Sequence, residues 1–88
     1  MWSVDEILEV LEANRHRATY GAVADVAGGI ARGVMQGRRR TQRNSWVVAK
    51  ESGLPTGYSA AEMHPLLRSN AHVFSDGIDL RVQLAEWA

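Results

Sequence analysis

Val4, Ile7, Leu8 and Leu11 recur at helical spacing, which makes one apolar stripe with polar residues between its members. Ser3 stands just before the stripe and Glu6 three residues later, the reciprocal pair in which each side chain takes the other's backbone amide. Asp5 and Glu6 also complement the positive end of the helix dipole. The pattern predicts a helix from about residue 4 to Asn14. Thr19 is placed to cap a second helix running through Ala27, with Val23, Ala24 and Ala27 as a small-residue face. Gly28-Gly29 ends it, since glycine enters the left-handed C-cap conformation cheaply. A third short helix is expected from Ile30 to about Gln36, with Ile30 and Val34 four apart. Two short helices across a glycine turn form a helix-turn-helix pattern.

Beyond Gly37 the run RRRTQRN has no apolar periodicity and reads as loop. Trp46, Val47 and Val48 are β-prone, so a strand is expected over about Ser45–Lys50. ESGLPTGYS, with two glycines and a proline, is turn and loop. Ser59 and Glu62 repeat the capping-box spacing, but His64-Pro65 interrupts any helix there, because the residue before proline avoids the α region. His72–Phe74 is a second possible strand, and Ser75 or Asp76 caps a C-terminal helix in which Ile78, Val82 and Ala85 share a face. The expected fold is mainly α with a small β element, a winged-helix-like helix-turn-helix domain spanning residues 1–88.

Composition narrows the chemistry. Hydrophobic residues make up 45% and charged residues 23% of the 88, a globular rather than a disordered balance. There is no cysteine, which excludes disulfides, cysteine-ligated zinc and thiolate chemistry. No apolar run is long enough to span a bilayer, and MWSVDEIL does not resemble a signal peptide, so a cytoplasmic protein is expected, with no membrane partner. The net charge is zero, but its distribution is uneven. Residues 1–14 carry Asp5, Glu6, Glu9 and Glu12 with no base, whereas residues 15–43 carry Arg15, Arg17, Arg32, Arg38, Arg39, Arg40 and Arg43 against Asp25 alone. A basic middle third made entirely of arginine suits a polyanion on one face. His16, His64 and His72 lack metal-ligand spacing, and each reads as a lone surface histidine; no metal or cofactor is expected.

The stretch ATYGAVADVAGGIARGVMQG resembles the DNA-binding domain of the O6-alkylguanine-DNA alkyltransferases and the alkyltransferase-like proteins. Thr19-Tyr20-Gly21 matches the family's Thr-Tyr-Gly at its first helix-turn-helix helix, and Ala31-Arg32-Gly33-Val34 its Ala-Arg-x-Val at the recognition helix, across a connection two residues shorter. SWVVAKESGLPTGYS overlays without gaps on the family's stretch from reactive cysteine to binding loop. Gly53, Tyr58 and Ser59 then fall on its glycine and on the tyrosine-serine pair that closes over a flipped base. The resemblance covers about Arg17 to Leu67. It implies that Tyr20 crowds the phosphate 3′ of a target nucleotide and that Arg32 fills the stack the nucleotide leaves. The basic run adds phosphate contacts from Arg38, Arg39, Arg40 and Arg43, with Thr19 beside Tyr20 on the same double-stranded DNA, and the overlay implies a base pocket that includes Ser45, Trp46, Tyr58 and Ser59.

The family's Pro-Cys-His-Arg signature is absent. The ungapped overlay puts Ser45 at the cysteine and Trp46 at the histidine; a shift of one residue puts Trp46 where alkyltransferase-like proteins carry a tryptophan. Trp46 equally suits a thin core that needs its area. Alkyl transfer needs an activated thiolate, and no histidine lies near Ser45 in sequence to activate a hydroxyl instead. The resulting expectation is a non-catalytic DNA-binding protein that recognises alkylated or damaged bases, O6-alkylguanine among them, by nucleotide flipping and marks them for a DNA repair protein. Two other readings fit the same residues: a plain winged-helix regulator without base flipping, and a protein-interaction domain whose arginines meet an acidic partner.

Overall fold

Helix α1 (Val4–Asn14) begins at the capping box: the Glu6 amide donates to Ser3 Oγ at 3.1 Å and the Ser3 amide to Glu6 Oε1 at 2.9 Å. Ile7, Leu8 and Leu11 are buried along its stripe. Arg15 closes the helix in the left-handed conformation (φ 51°), and the His16 amide then bonds back to the Leu11 carbonyl. The chain is seen here in a computed structural model that describes residues 2–88.

Strand β1 (Arg17–Thr19) follows at once, and all three of its residues are buried. It is the centre of a three-stranded sheet of order β2-β1-β3, in which β2 is Val47–Val48 and β3 is Val73–Phe74. Both pairings are parallel, with Ala18 opposite Val47 on one edge and opposite Phe74 on the other. The β element is therefore not a hairpin, which needs antiparallel strands. Thr19 ends β1 and caps α2 (Tyr20–Ala27), its Oγ1 accepting from the Ala22 amide at 3.1 Å. Gly28, at φ 81°, stops α2.

The expected third helix is only a 3₁₀ turn, Ala31–Gly33, followed by turns to Gly37. Gly33 inside the segment weakens a helix by about 1 kcal/mol relative to alanine, and so short a segment cannot offset the cost of nucleation. The expected strand over Ser45–Lys50 is shorter too: Arg43–Trp46 forms a 3₁₀ turn and only Val47–Val48 pairs. The capping box at Ser59 and Glu62 forms, but around a single turn, Ala60–Glu62.

Helix α3 (Gly77–Trp87) is capped by Asp76, whose Oδ1 accepts from the amides of Ile78 and Asp79. Its core face is not the expected one. Leu80 and Leu84 are fully enclosed, while Ile78 is 75% and Val82 57% exposed. The two faces have the same period, and the one with Gly77 wins because it admits a close crossing. A Cβ on Gly77 would lie 2.5 Å from Cβ of Asp25 on α2. Gly77→Ala should therefore force the two helices apart and lower stability by about 1–3 kcal/mol, measured by urea unfolding.

Trp46 lies in the centre of the core with no exposed surface, its ring 5.0 Å from that of His64. His16, just before β1, is only 8% exposed and is not a lone surface residue. Its Nε2 lies 2.8 Å from His72 Nδ1, the Asn70 amide lies 3.2 Å from its Nδ1, and its ring packs on Phe74 and Trp87. Burial, then the nearby His72 and Arg17, hold the His16 imidazole below its ordinary value. The folded state thus binds fewer protons than the unfolded one as the pH falls through about 6.5, the ordinary histidine value. Stability should be level above about pH 7 and decline below that value. Urea midpoints taken across pH 5–8 should show this fall, and His16→Gln should flatten it.

Candidate functional site

Tyr20 opens α2 because Thr19 ends β1, so the sheet fixes where its ring stands. The Thr56 amide donates to Tyr20 Oη at 2.8 Å, which ties the loop after β2 to the start of α2. Beside this contact lies an open cleft of about 620 Å³, lined by Tyr20, Ala31, Arg32, Met35, Gln36 and Thr56. A second cleft of about 530 Å³ shares Tyr20, Met35, Gln36 and Thr56 and continues to Arg39, Arg40, Tyr58 and Glu62. Tyr20, Arg32 and Tyr58, far apart in sequence, thus border one continuous depression. Burial, then the neighbouring Tyr20 and Glu62, hold the Tyr58 phenol above its ordinary value, although Arg40 and a backbone bond from Thr41 act the other way. Tyr58 is therefore a neutral donor at neutral pH, and it donates to the Arg39 carbonyl at 3.4 Å.

The arginines separate into groups. Arg17 is 8% exposed; it donates to the carbonyls of Gly53 (2.8 Å) and Asn70 (3.0 Å), and its Nε is buried without a partner. It staples two loops together and adds nothing to a surface patch. Arg38 pairs with Asp5 of α1 at 2.6 Å, and Arg43 reaches the Asp5 carbonyl at 3.4 Å. Both lean toward the acidic helix, although Arg38 still borders the second cleft. Arg32, Arg39 and Arg40 are exposed, and none of their guanidinium groups makes an ion pair among the described residues. Arg40 lies over Gly57: a Cβ there would sit 2.9 Å from its Nη2, and Gly57 has φ 78°. Asn44, which the sequence gave no reason to single out, holds the segment's shape, its Nδ2 donating to the Arg39 carbonyl at 2.9 Å.

Five expected site residues, Thr19, Arg43, Ser45, Trp46 and Ser59, line neither cleft. Ser45 and Trp46 have no exposed surface and line neither cleft. The Ser45 hydroxyl donates to the Gln42 carbonyl at 2.6 Å and accepts from the His64 amide at 3.0 Å, so it serves as a structural joint. Trp46 is drawn inward by its area, as the core reading of that residue has it. Thr19 is buried, and its hydroxyl is spent on the cap of α2. Ser59 is exposed beside the second cleft and shares a capping box with Glu62, whose Oε1 accepts from the Ser59 amide at 2.8 Å. Met35, Gln36, Thr56 and Glu62 are cleft residues that the sequence left unmarked, Glu62 because its capping role was sufficient to explain it.

Tyr20→Phe removes the acceptor for the Thr56 amide while keeping the ring. It should cost about 1 kcal/mol and speed hydrogen exchange at Thr56 more than at amides of α1. Unchanged exchange at Thr56 would mean that the loop is held by other contacts.

Comparison of the chain with family models, with curated proteins and with solved structures finds no match.

Proposed function

We propose that this chain binds duplex DNA without chemistry and holds a base extruded from the stack in the joined clefts beside Tyr20. The observation that carries the reading is the convergence of Tyr20, Arg32, Arg39, Arg40 and Tyr58 on one open depression. Unpaired guanidinium groups suit phosphates, and phenol rings suit a base face. In this reading α2 and the turn Ala31–Gly33 act as the helix-turn-helix-type unit of a winged-helix-like domain, with the loop after β2 standing beside it. Tyr20 presses on the backbone, Arg32 occupies the vacated stack, and Tyr58 meets the base. The resemblance to alkyltransferase-like proteins makes O6-alkylguanine the first lesion to consider and a DNA repair protein the natural recipient. Extrusion costs a few kcal/mol and less for a damaged or mispaired base, so selectivity follows from weakened pairing. Ser45, with its hydroxyl proton engaged by Gln42, is given no chemical role.

A binding titration with matched duplexes, one carrying a single O6-methylguanine, tests the reading. The lesion duplex should bind more tightly. Arg32→Ala should weaken lesion binding by about 1–3 kcal/mol more than binding to the intact duplex, because a phosphate contact alone counts equally on both. Replacing Arg39 and Arg40 together by alanine should weaken both duplexes alike. It should also flatten log K against log salt by about two units, near 0.9 per contact. Equal losses on both duplexes for Arg32→Ala would leave a plain DNA binder.

A further inference from the structure

A carboxylate facing a phosphate-binding cleft is electrostatically out of place, and Glu62 occupies such a position. Its Oε1 accepts from the Ser59 amide, whereas its Oε2 has no hydrogen bond and the group no ion pair among the described residues. Glu62 borders the cleft together with Tyr20 and Tyr58 and lies close enough to the Tyr58 phenol to raise its pKa. Capping does not account for the charge, since glutamine closes the same box. A negative group here repels DNA phosphates, so a compensating contact is needed inside the cleft.

We infer that the Glu62 carboxylate reads the amino edge of the base held in the cleft and so selects a guanine-type base, one with a 2-amino group. This rests on the base-extrusion reading above. An ionised carboxylate only accepts hydrogen bonds, so the base must present donors to it. Guanine offers N1–H and the 2-amino group side by side. Adenine and cytosine place a ring-nitrogen acceptor next to their amino groups, which turns a lone pair toward the second carboxylate oxygen. Alkylation at O6 removes N1–H and leaves a ring-nitrogen lone pair beside the 2-amino group, so an O6-alkylguanine keeps one of the two donors, and its tighter binding rests on weakened pairing rather than on Glu62. Bonds to a charged acceptor are the stronger kind, and Tyr58 beside Glu62 supplies a ring face for the same base.

The test uses three duplexes that differ at one position: guanine facing an abasic site, hypoxanthine facing an abasic site, and guanine paired with cytosine. Hypoxanthine is guanine without the 2-amino group, and the abasic partner removes any difference in pairing. Wild type should bind both abasic duplexes more tightly than the paired one, and guanine over hypoxanthine by about tenfold. In Glu62→Gln the amide oxygen keeps the Ser59 contact and the amide nitrogen, a donor, faces the cleft. This variant should keep its preference for the abasic duplexes and lose the preference for guanine, with an unchanged thermal melt showing that the cap has held. Equal binding of guanine and hypoxanthine by wild type, with the abasic preference intact, overturns the role of Glu62 alone. The same guanine preference in wild type and Glu62→Gln overturns it as well. No preference for the abasic duplexes overturns base extrusion and the role of Glu62 with it.

Discussion

A strand of three residues can be paired along both edges only if its backbone is dry and its side chains are accommodated on both faces. Arg17–Thr19 meets that condition. Ala18 is the small residue between Val47 and Phe74, Arg17 reaches out to the carbonyls of Gly53 and Asn70, and Thr19 turns its hydroxyl onto α2. Each of these contacts fixes something the cleft uses. The Thr19 cap sets where Tyr20 stands, the Arg17 bond to Gly53 holds the loop that carries Thr56 and Tyr58, and the pairing with Val47–Val48 brings the arginine segment alongside. The buried guanidinium is left with an unsatisfied Nε, a cost of about 1–3 kcal/mol that the two carbonyl bonds offset.

Charge in this chain is organised by tethering as much as by composition. The basic middle third contains seven arginines, yet one is buried and two are drawn to Asp5 at the start of α1. What remains on the cleft face is a smaller set, Arg32, Arg39 and Arg40, interleaved with Tyr20 and Tyr58. The acidic residues of α1 thus do more than balance the total; they remove Arg38 from the set of free cations and leave a narrower positive strip. In the proposed DNA-binding reading, three free arginines meet a few phosphates near one nucleotide rather than a long tract of backbone.

Local signals in the sequence were sufficient for α1, α2 and the cap of α3, because capping boxes, N-cap hydroxyls and terminal glycines act within a few residues. β1 was not legible: three residues with no apolar alternation become a strand only when two distant segments pair with them. The face of α3 was ambiguous for a related reason, since the apolar set of Ile78, Val82 and Ala85 has the same period as that of Gly77, Leu80 and Leu84, and only the contact of Gly77 with Asp25 separates them. Of the site, Tyr20, Arg32 and Tyr58 could be named from the resemblance, and they share one depression. Ser45 and Trp46 could not be placed, because burial depends on how Arg43–Trp46 turns before β2. Glu62 was visible only as a cap, since its second exposure arises when the arginine segment folds back toward it.

The parallel sheet also bears on how the chain reaches this state. β1 lies near the N-terminus, but its partners lie in the middle of the sequence and close to its end. Neither ladder can close until long intervening segments have collapsed, and the loop-closure entropy is lost before the pairing compensates for it. Chains dominated by such distant contacts fold in milliseconds to seconds, whereas helical bundles of similar size need microseconds to milliseconds. α1 and α2 can form early from their own capping signals. The depression beside Tyr20 needs β1, the loop at Thr56 and the arginine segment together, so it exists only once both ladders have closed.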